Sequence, residues 1–189
     1  MDTQKIIQSF LVDSAEIKRS LSTDSGFLKL FADASSVLQA RVADGGTVFS
    51  CGNGGSACDA MHLAEELTAR YKRERDGIRA MHFLDAGALT CWSNDYDFAG
   101  AFERQVKTFC GASDVLFALS TSGNSENILR AARAAKELGT YVIGLTGKSG
   151  GKLKEIADSA FVVPSNETDR IQEVHITLIH AFCEVLEGE

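Results

Sequence analysis

Apolar residues over the first 45 positions recur at helical spacing, and after that the texture changes. Ile6, Ile7, Phe10, Leu11, Ile17 and Leu21 fall on one face of an amphipathic helix. The polar break Ser22-Thr23-Asp24-Ser25-Gly26 supplies both a stop and an N-cap. Phe27, Leu30, Phe31, Val37, Leu38 and Val42 then mark a second helix that stops at Asp44-Gly45-Gly46. Beyond Gly46, short β-rich runs alternate with helical periods. The pattern predicts strands at 47–51, 79–83, 114–119, 141–145 and 161–163. Helices are expected at about 56–71, up to about 91, at 99–109, and at about 125–138, 150–157 and 169–186. Strands joined by helical crossovers pair in parallel, so the expected fold is α/β. It is a three-layer, doubly wound, flavodoxin-like five-stranded parallel sheet with an N-terminal helical pair. Residues 1–189 are expected to form one domain, with 1–45 a helical extension. That pair either packs on the sheet or makes a subunit interface, and the interface is the favoured reading.

Composition narrows the class. Of 189 residues, 44% are apolar and 24% charged, with a single proline, which suits a well-cored globular chain and argues against disorder. A net charge of −7 argues against a nucleic-acid partner, whose phosphates need clustered Lys and Arg. The one dense basic stretch, from Arg70 to Arg75, is broken by Glu74 and is expected to be a solvated helix end. Five cysteines form no C-x-x-C pair, a pattern of reduced thiols in the cytoplasm. No apolar run approaches the ~18 residues of a membrane span, and the first residues lack a signal-like core, so a cytoplasmic chain with no membrane partner is expected.

Two turns carry the candidate chemistry. Cys51-Gly52-Asn53-Gly54-Gly55-Ser56 and Ser120-Thr121-Ser122-Gly123-Asn124-Ser125 each follow a predicted strand and open a predicted helix. Glycine, hydroxyl and amide groups at a helix N-terminus suit an anion, because backbone N–H groups and the positive end of the helix dipole face it. A single such turn has a steric explanation; two at the same sheet edge point to a phosphorylated small molecule. On the helix after the first turn, His62 and Glu66 lie four apart, with Glu65 between. The pair can share a divalent metal or a proton, or form an ordinary surface contact, and spacing does not choose between the glutamates. The last predicted helix carries Asp169, Arg170, Gln172, Glu173, His175 and His180, the last among Leu178, Ile179, Ala181 and Phe182. His180 and His175 could each be a satisfied core histidine, and His82 is expected to be structural. Ser93-Asn94-Asp95-Tyr96-Asp97 has the composition of a capped turn. Lys148 lies in a glycine-rich run, but neither the Walker spacing nor a dinucleotide fingerprint is present.

Taken together, C-G-N-G-G-S-A-C-D-A-M-H-L-A-E-E-L at 51–67, S-N-D-Y at 93–96, S-T-S-G-N-S at 120–125 and D-R-I-Q-E-V-H-I-T-L-I-H at 169–180 resemble the phosphoheptose isomerases, of the sugar isomerase (SIS) class. The resemblance spans essentially the whole chain. It implies conversion of sedoheptulose 7-phosphate into D-glycero-D-manno-heptose 7-phosphate for bacterial surface polysaccharide, in a homotetramer with sites built between subunits. It implies one zinc on His62, Glu66, Gln172 and His180, which selects Glu66 over Glu65. It implies substrate contacts from Asn53, Gly54, Gly55, Glu66, Asn94, Asp95, Ser120, Thr121, Ser122, Ser125, Asp169 and Gln172. Glu66 is then the expected base and His180 its acid/base partner. Gln172 and His180 stand eight residues apart, ~12 Å along a helix, so one long reach or two subunits would be needed to join them. Trp92-Ser93 departs from the small residue and glycine usual in the family. A non-catalytic SIS protein that senses a sugar phosphate or binds a replication initiator is the competing class, and another sugar phosphate the nearer alternative.

Overall fold

Five parallel strands in the order β2-β1-β3-β4-β5 form the centre of the molecule, in a computed structural model that describes residues 2–188. They are β1 (Val48–Cys51), β2 (Ala80–His82), β3 (Val115–Ser120), β4 (Tyr141–Gly147) and β5 (Ser159–Val163). Every residue of β1 and β3 is buried, as in a sheet covered on both faces. From β1 the chain steps out to β2 on one side and then crosses to β3 on the other. The strand order therefore reverses between β1 and β3, which opens a crevice at their carboxyl ends.

Side-chain alternation along the strands divides the core in two. On one face Val115, Phe117 and Leu119 meet residues of α1 (Thr3–Thr23), α2 (Ser25–Ala43), α3 (Gly55–Thr68) and α8 (Thr168–Glu187). On the other, Leu116 and Ala118 meet α5 (Ala101–Phe109), α6 (Glu126–Glu137) and α7 (Leu153–Ile156), with Leu89 of α4 (Ala86–Asp95) at the margin. Phe182 of α8 is fully buried and packs against Phe31, Phe117 and Phe161, tying α2, β3 and β5 to one helix.

The N-terminal pair is divided in its loyalties. Gln39 of α2 donates to the Val185 carbonyl at 3.0 Å, and Arg41 donates to the carbonyls of Ala112 and Asp114 at 2.6 and 2.7 Å. So α2 packs on the sheet layer. α1 leaves Ile7, Phe10, Leu11 and Val12 exposed.

Several boundaries depart from the pattern-based expectation. α3 ends at Thr68 rather than near 71, so the basic run that follows is not a helix end. α4 continues through Asp95, so Ser93, Asn94 and Asp95 are helical rather than a turn. Its start is fixed by Asp85, which accepts from Ala88 N–H at 2.8 Å. α7 spans only Leu153–Ile156, because Gly150 and Gly151 both hold positive φ. Replacing Phe182 with alanine should cost about 3–5 kcal/mol, seen as a lower urea midpoint with unchanged slope; an unshifted midpoint would refute this view of the core.

Candidate active site

Three helices begin around one cavity, and none of them has a side-chain cap. α3 starts after Gly54, α6 after Ser125 and α8 after Glu167, and in each the N-cap residue makes no side-chain hydrogen bond. By contrast α1, α2 and α4 are capped by Asp2, Asp24 and Asp85. The cavity measures about 320 Å³ and is lined by residues of all three starts, among them Asn53, Gly54, Gly55, Ser120, Ser125 and Gln172. Three positive dipole ends facing one space, with no carboxylate among the lining residues, favour an anion there.

The walls of the cavity are braced. Ser120 Oγ donates to Ser125 Oγ at 3.1 Å, and Ser122 Oγ accepts from Asn124 N–H at 3.2 Å. Gly123 holds φ +64°, and a Cβ there would lie 1.9 Å from the Gly150 carbonyl oxygen. Only glycine lets the serine turn settle onto the loop after β4. From that loop the Lys152 N–H donates to Asn124 Oδ1 at 3.2 Å. Lys148 takes no part in a phosphate loop; it holds φ +57° and its N–H donates to the Ser165 carbonyl. Across the crevice, Asn53 and Asn127 exchange two carboxamide hydrogen bonds of 2.9 Å each. Motif reading missed Asn127, although an amide among the apolar residues of an amphipathic helix was its signal.

Further along α3 and α8, three donors converge. His62 Nε2 lies 3.0 Å from His180 Nε2 and 3.0 Å from Glu66 Oε1. Ligand atoms of the three residues all fall within 4.8 Å of one another. Two ring nitrogens and a carboxylate oxygen at these separations fit a divalent cation. A tetrahedral zinc with bonds of ~2.0–2.1 Å holds two nitrogens ~3.3 Å apart. Glu65, by contrast, is exposed and outside the cluster. The Tyr71 ring stacks on His180, centroids 5.7 Å apart and planes 26° apart.

Tyr71 belongs to the basic segment after α3, whose Lys72 and Arg73 side chains are exposed as expected but pinned to α8. Arg75 donates to the carbonyls of Leu67 and Glu66 at 2.9 and 2.8 Å, closing the end of α3. Lys72 and Arg73 pair with Glu184 of α8 at 2.6 and 3.2 Å. The Lys72 N–H donates to Glu187 at 2.9 Å. Asp59, one turn before His62, has its carboxyl pushed up to about 6 by burial, against the pull of His62.

The remaining candidates are distributed as follows. Gln172 lines the cavity with its carboxamide against Gly55, where a Cβ would meet its Nε2 at 2.6 Å. It sits two turns before His180 on α8. Thr121 lines the same cavity; Ser122 is half-buried beside it and is not among the lining residues. Asp169 is exposed and paired with Arg170 at 3.1 Å. Asn94 and Asp95 are exposed at the end of α4 and bond to each other at 2.9 Å. Trp92, just before them, stacks on Tyr96. His82 Nδ1 accepts from the Leu84 N–H at 3.3 Å, a local structural contact. His175 is fully buried, donates through Nε2 to the Thr146 carbonyl at 3.2 Å and leaves Nδ1 without a partner.

With this geometry in place, the relatives are informative. The family model for the SIS domain matches residues 16–147. A phosphoheptose isomerase from Helicobacter hepaticus is 48% identical over 157 residues, 82% of this chain and 80% of its own length. One from Vibrio cholerae is 44% identical over 187 residues, 98% of each. The solved structure of a phosphoheptose isomerase from Francisella tularensis has a TM-score of 0.94 at 32% identity, covering 100% of both chains. The fold and the serine turn are those of a SIS domain. Within that class, the chain belongs to the phosphoheptose isomerase family.

Burial lowers the His175 pKa from 6.5 to about 4, with the Thr146 carbonyl opposing. Between those values the unfolded chain binds a proton that the folded chain refuses, so this group removes stability as pH falls from 6.5 towards 4. Asp59 acts with opposite sign, since its folded carboxyl holds a proton up to about 6. The difference between parent and His175→Gln isolates the histidine. The variant should lose up to about 1.4 kcal/mol per pH unit of acid sensitivity in that window. Denaturant titrations at several pH values check this, and identical slopes would refute it.

Proposed function

We propose that this chain is an aldose–ketose isomerase that converts sedoheptulose 7-phosphate into D-glycero-D-manno-heptose 7-phosphate, a heptose precursor of bacterial lipopolysaccharide. The observation that carries the reading is an anion cradle of three helix starts beside a His–Glu–His cluster on two of the same helices. A sensor or adaptor needs the cradle and has no use for the cluster. The phosphate sits among Ser120, Thr121 and Ser125, with Ser122 bracing the turn beside them, and Asn53, Gly54, Gly55 and Gln172 hold the sugar. Binding at that remote end fixes where the reacting carbons lie.

Isomerisation moves one carbon-bound proton from C1 to C2 and one hydroxyl proton from O1 to O2. Glu66 takes the C1 proton, leaving an enediol(ate), and returns it at C2. His180, through Nδ1 because Nε2 faces the cluster, protonates O2 and accepts the proton leaving O1. Zinc held by His62, Glu66 and His180 would supply a Lewis acid that polarises the carbonyl, whereas Gln172 of the same chain lies two turns away in the anion cavity and would join the ion only from a neighbouring subunit. Glu66 meets His62 through Oε1, and its second oxygen is the one assigned to the proton. Tyr71, stacked on His180, holds that ring in plane.

The same reading makes the enzyme a cytoplasmic homotetramer. The exposed apolar residues of α1 supply a surface for a neighbour to cover. Asn94, Asp95 and Asp169 then complete sites shared between subunits. The five free cysteines suit a reducing compartment. Among the described residues no helix is long and apolar enough to cross a membrane.

Glu66→Gln should lower turnover of sedoheptulose 7-phosphate by about 10²–10⁴-fold while the sugar still binds. Activity near the parent's would remove Glu66 as base. Ser125→Ala should raise KM about tenfold through one lost bond to a charged group, and an unchanged KM would displace the phosphate from this turn. Dialysis against a chelator should abolish turnover and added zinc restore it; full activity in the chelated enzyme would exclude a metal role.

A further inference from the structure

The turns that follow β1 and β3 are joined by a single polar rung. β1 and β3 are neighbours in the sheet, with Cys51 opposite Ala118, and their following helices lie on opposite faces, α3 on one and α6 on the other. The crevice between these turns is therefore where the two halves of the fold separate. It is spanned by Asn53 and Asn127, each donating Nδ2–H to the other's Oδ1 at 2.9 Å. Asn127 is only 3% exposed, and its Oδ1 also accepts from the Ile128 N–H at 3.0 Å.

Two parallel bonds between planar amides resist sliding and twisting as well as separation, whereas one bond would act as a hinge. Asn127 stands in the first turn of an uncapped helix, where an amide would ordinarily turn back to its own backbone N–H groups. Here its Oδ1 keeps one such bond, from Ile128 N–H, and the rest of the amide reaches across to the other turn. Fixing the Asn53 carboxamide plane fixes the backbone that carries Gly54 and Gly55 into the cavity, at a set distance from Ser120 and Ser125.

We propose that Asn127 is a positioning residue of the isomerase site, acting through Asn53 to hold the two ligand-binding turns in register. It touches no substrate. This rests on the isomerase reading above, and its consequence is specific: loss of the rung weakens capture of the phosphorylated sugar and leaves the proton-transfer groups on α3 and α8 in place.

The test is a double-mutant cycle of Asn53→Ala, Asn127→Ala and both together, with KM and kcat for sedoheptulose 7-phosphate and the dissociation constant of inorganic phosphate by calorimetry. Asn127→Ala should raise KM and the phosphate constant about tenfold, with kcat within about threefold. The double variant should be no worse than the worse single one, because the two side chains act as one unit. Unchanged KM and phosphate constants, whatever the melting temperature, would overturn the proposal, as would single effects that multiply in the double variant. Asn127→Asp provides a second arm if the alanine chain does not fold. Its carboxylate still accepts from Asn53 but cannot donate, and it brings negative charge towards the phosphate, so KM should rise at least as far; a parental KM would again overturn the rung. A parent enzyme inactive on sedoheptulose 7-phosphate would defeat the isomerase reading alone, since the phosphate constants still report on Asn127.

Discussion

Three helix starts around one crevice, none of them capped by the side chain of its N-cap residue, are the constraint around which this molecule is arranged. Unsatisfied N–H groups and like dipole ends repel and stay hydrated unless something negative sits between them. The sheet order creates the opportunity, because the helices that follow the neighbouring strands β1 and β3 diverge to opposite faces. The braces around the cavity follow from it: serine on serine, Gly123 on Gly150, and amide on amide each hold a turn open. Without them the turns could relax onto their own backbones, and the electrostatic invitation would be lost.

The second half of the site depends on the same geometry one step removed. α3 and α8 run side by side from that crevice, so Gln172 lies beside Gly55 and His180 beside His62 and Glu66. Eight residues separate Gln172 from His180 on α8, and seven separate Gly55 from His62 on α3. Matching advances along two helices keep an anion subsite and a cluster of proton-transfer and metal-binding groups about two turns apart. That spacing suits an extended sugar anchored by one end.

Much of this was legible before any coordinates. The five strands were visible because buried parallel strands are short apolar runs, and 114–119 is almost nothing else. Both cradle turns were visible because their glycines and hydroxyls cluster in sequence, and the His62–Glu66 pair because a helix turns local spacing into proximity. The choice of Glu66 over Glu65 needed the family resemblance. Two features hid because their partners are distant in the chain, and a third because its composition was ambiguous. The run from Arg70 to Arg75 looked solvated because Glu184 and Glu187 lie over a hundred residues away. Asn127 looked like an ordinary first-turn amide because its partner is 74 positions earlier. Asn94 and Asp95 looked like a turn because polar residues at the end of a helix and in a loop have the same composition.

The segment pinned between α3 and α8 has a consequence of its own. Its outer fastenings, Lys72 and Arg73 on Glu184, are exposed ion pairs, which dissolved electrolyte weakens. Its inner fastening, Arg75 on the carbonyls that close α3, is half-sheltered and far less sensitive. Ionic strength therefore acts on the flap that carries Tyr71 over His180 while sparing the hydrophobic layers, and brine becomes a handle on one imidazole.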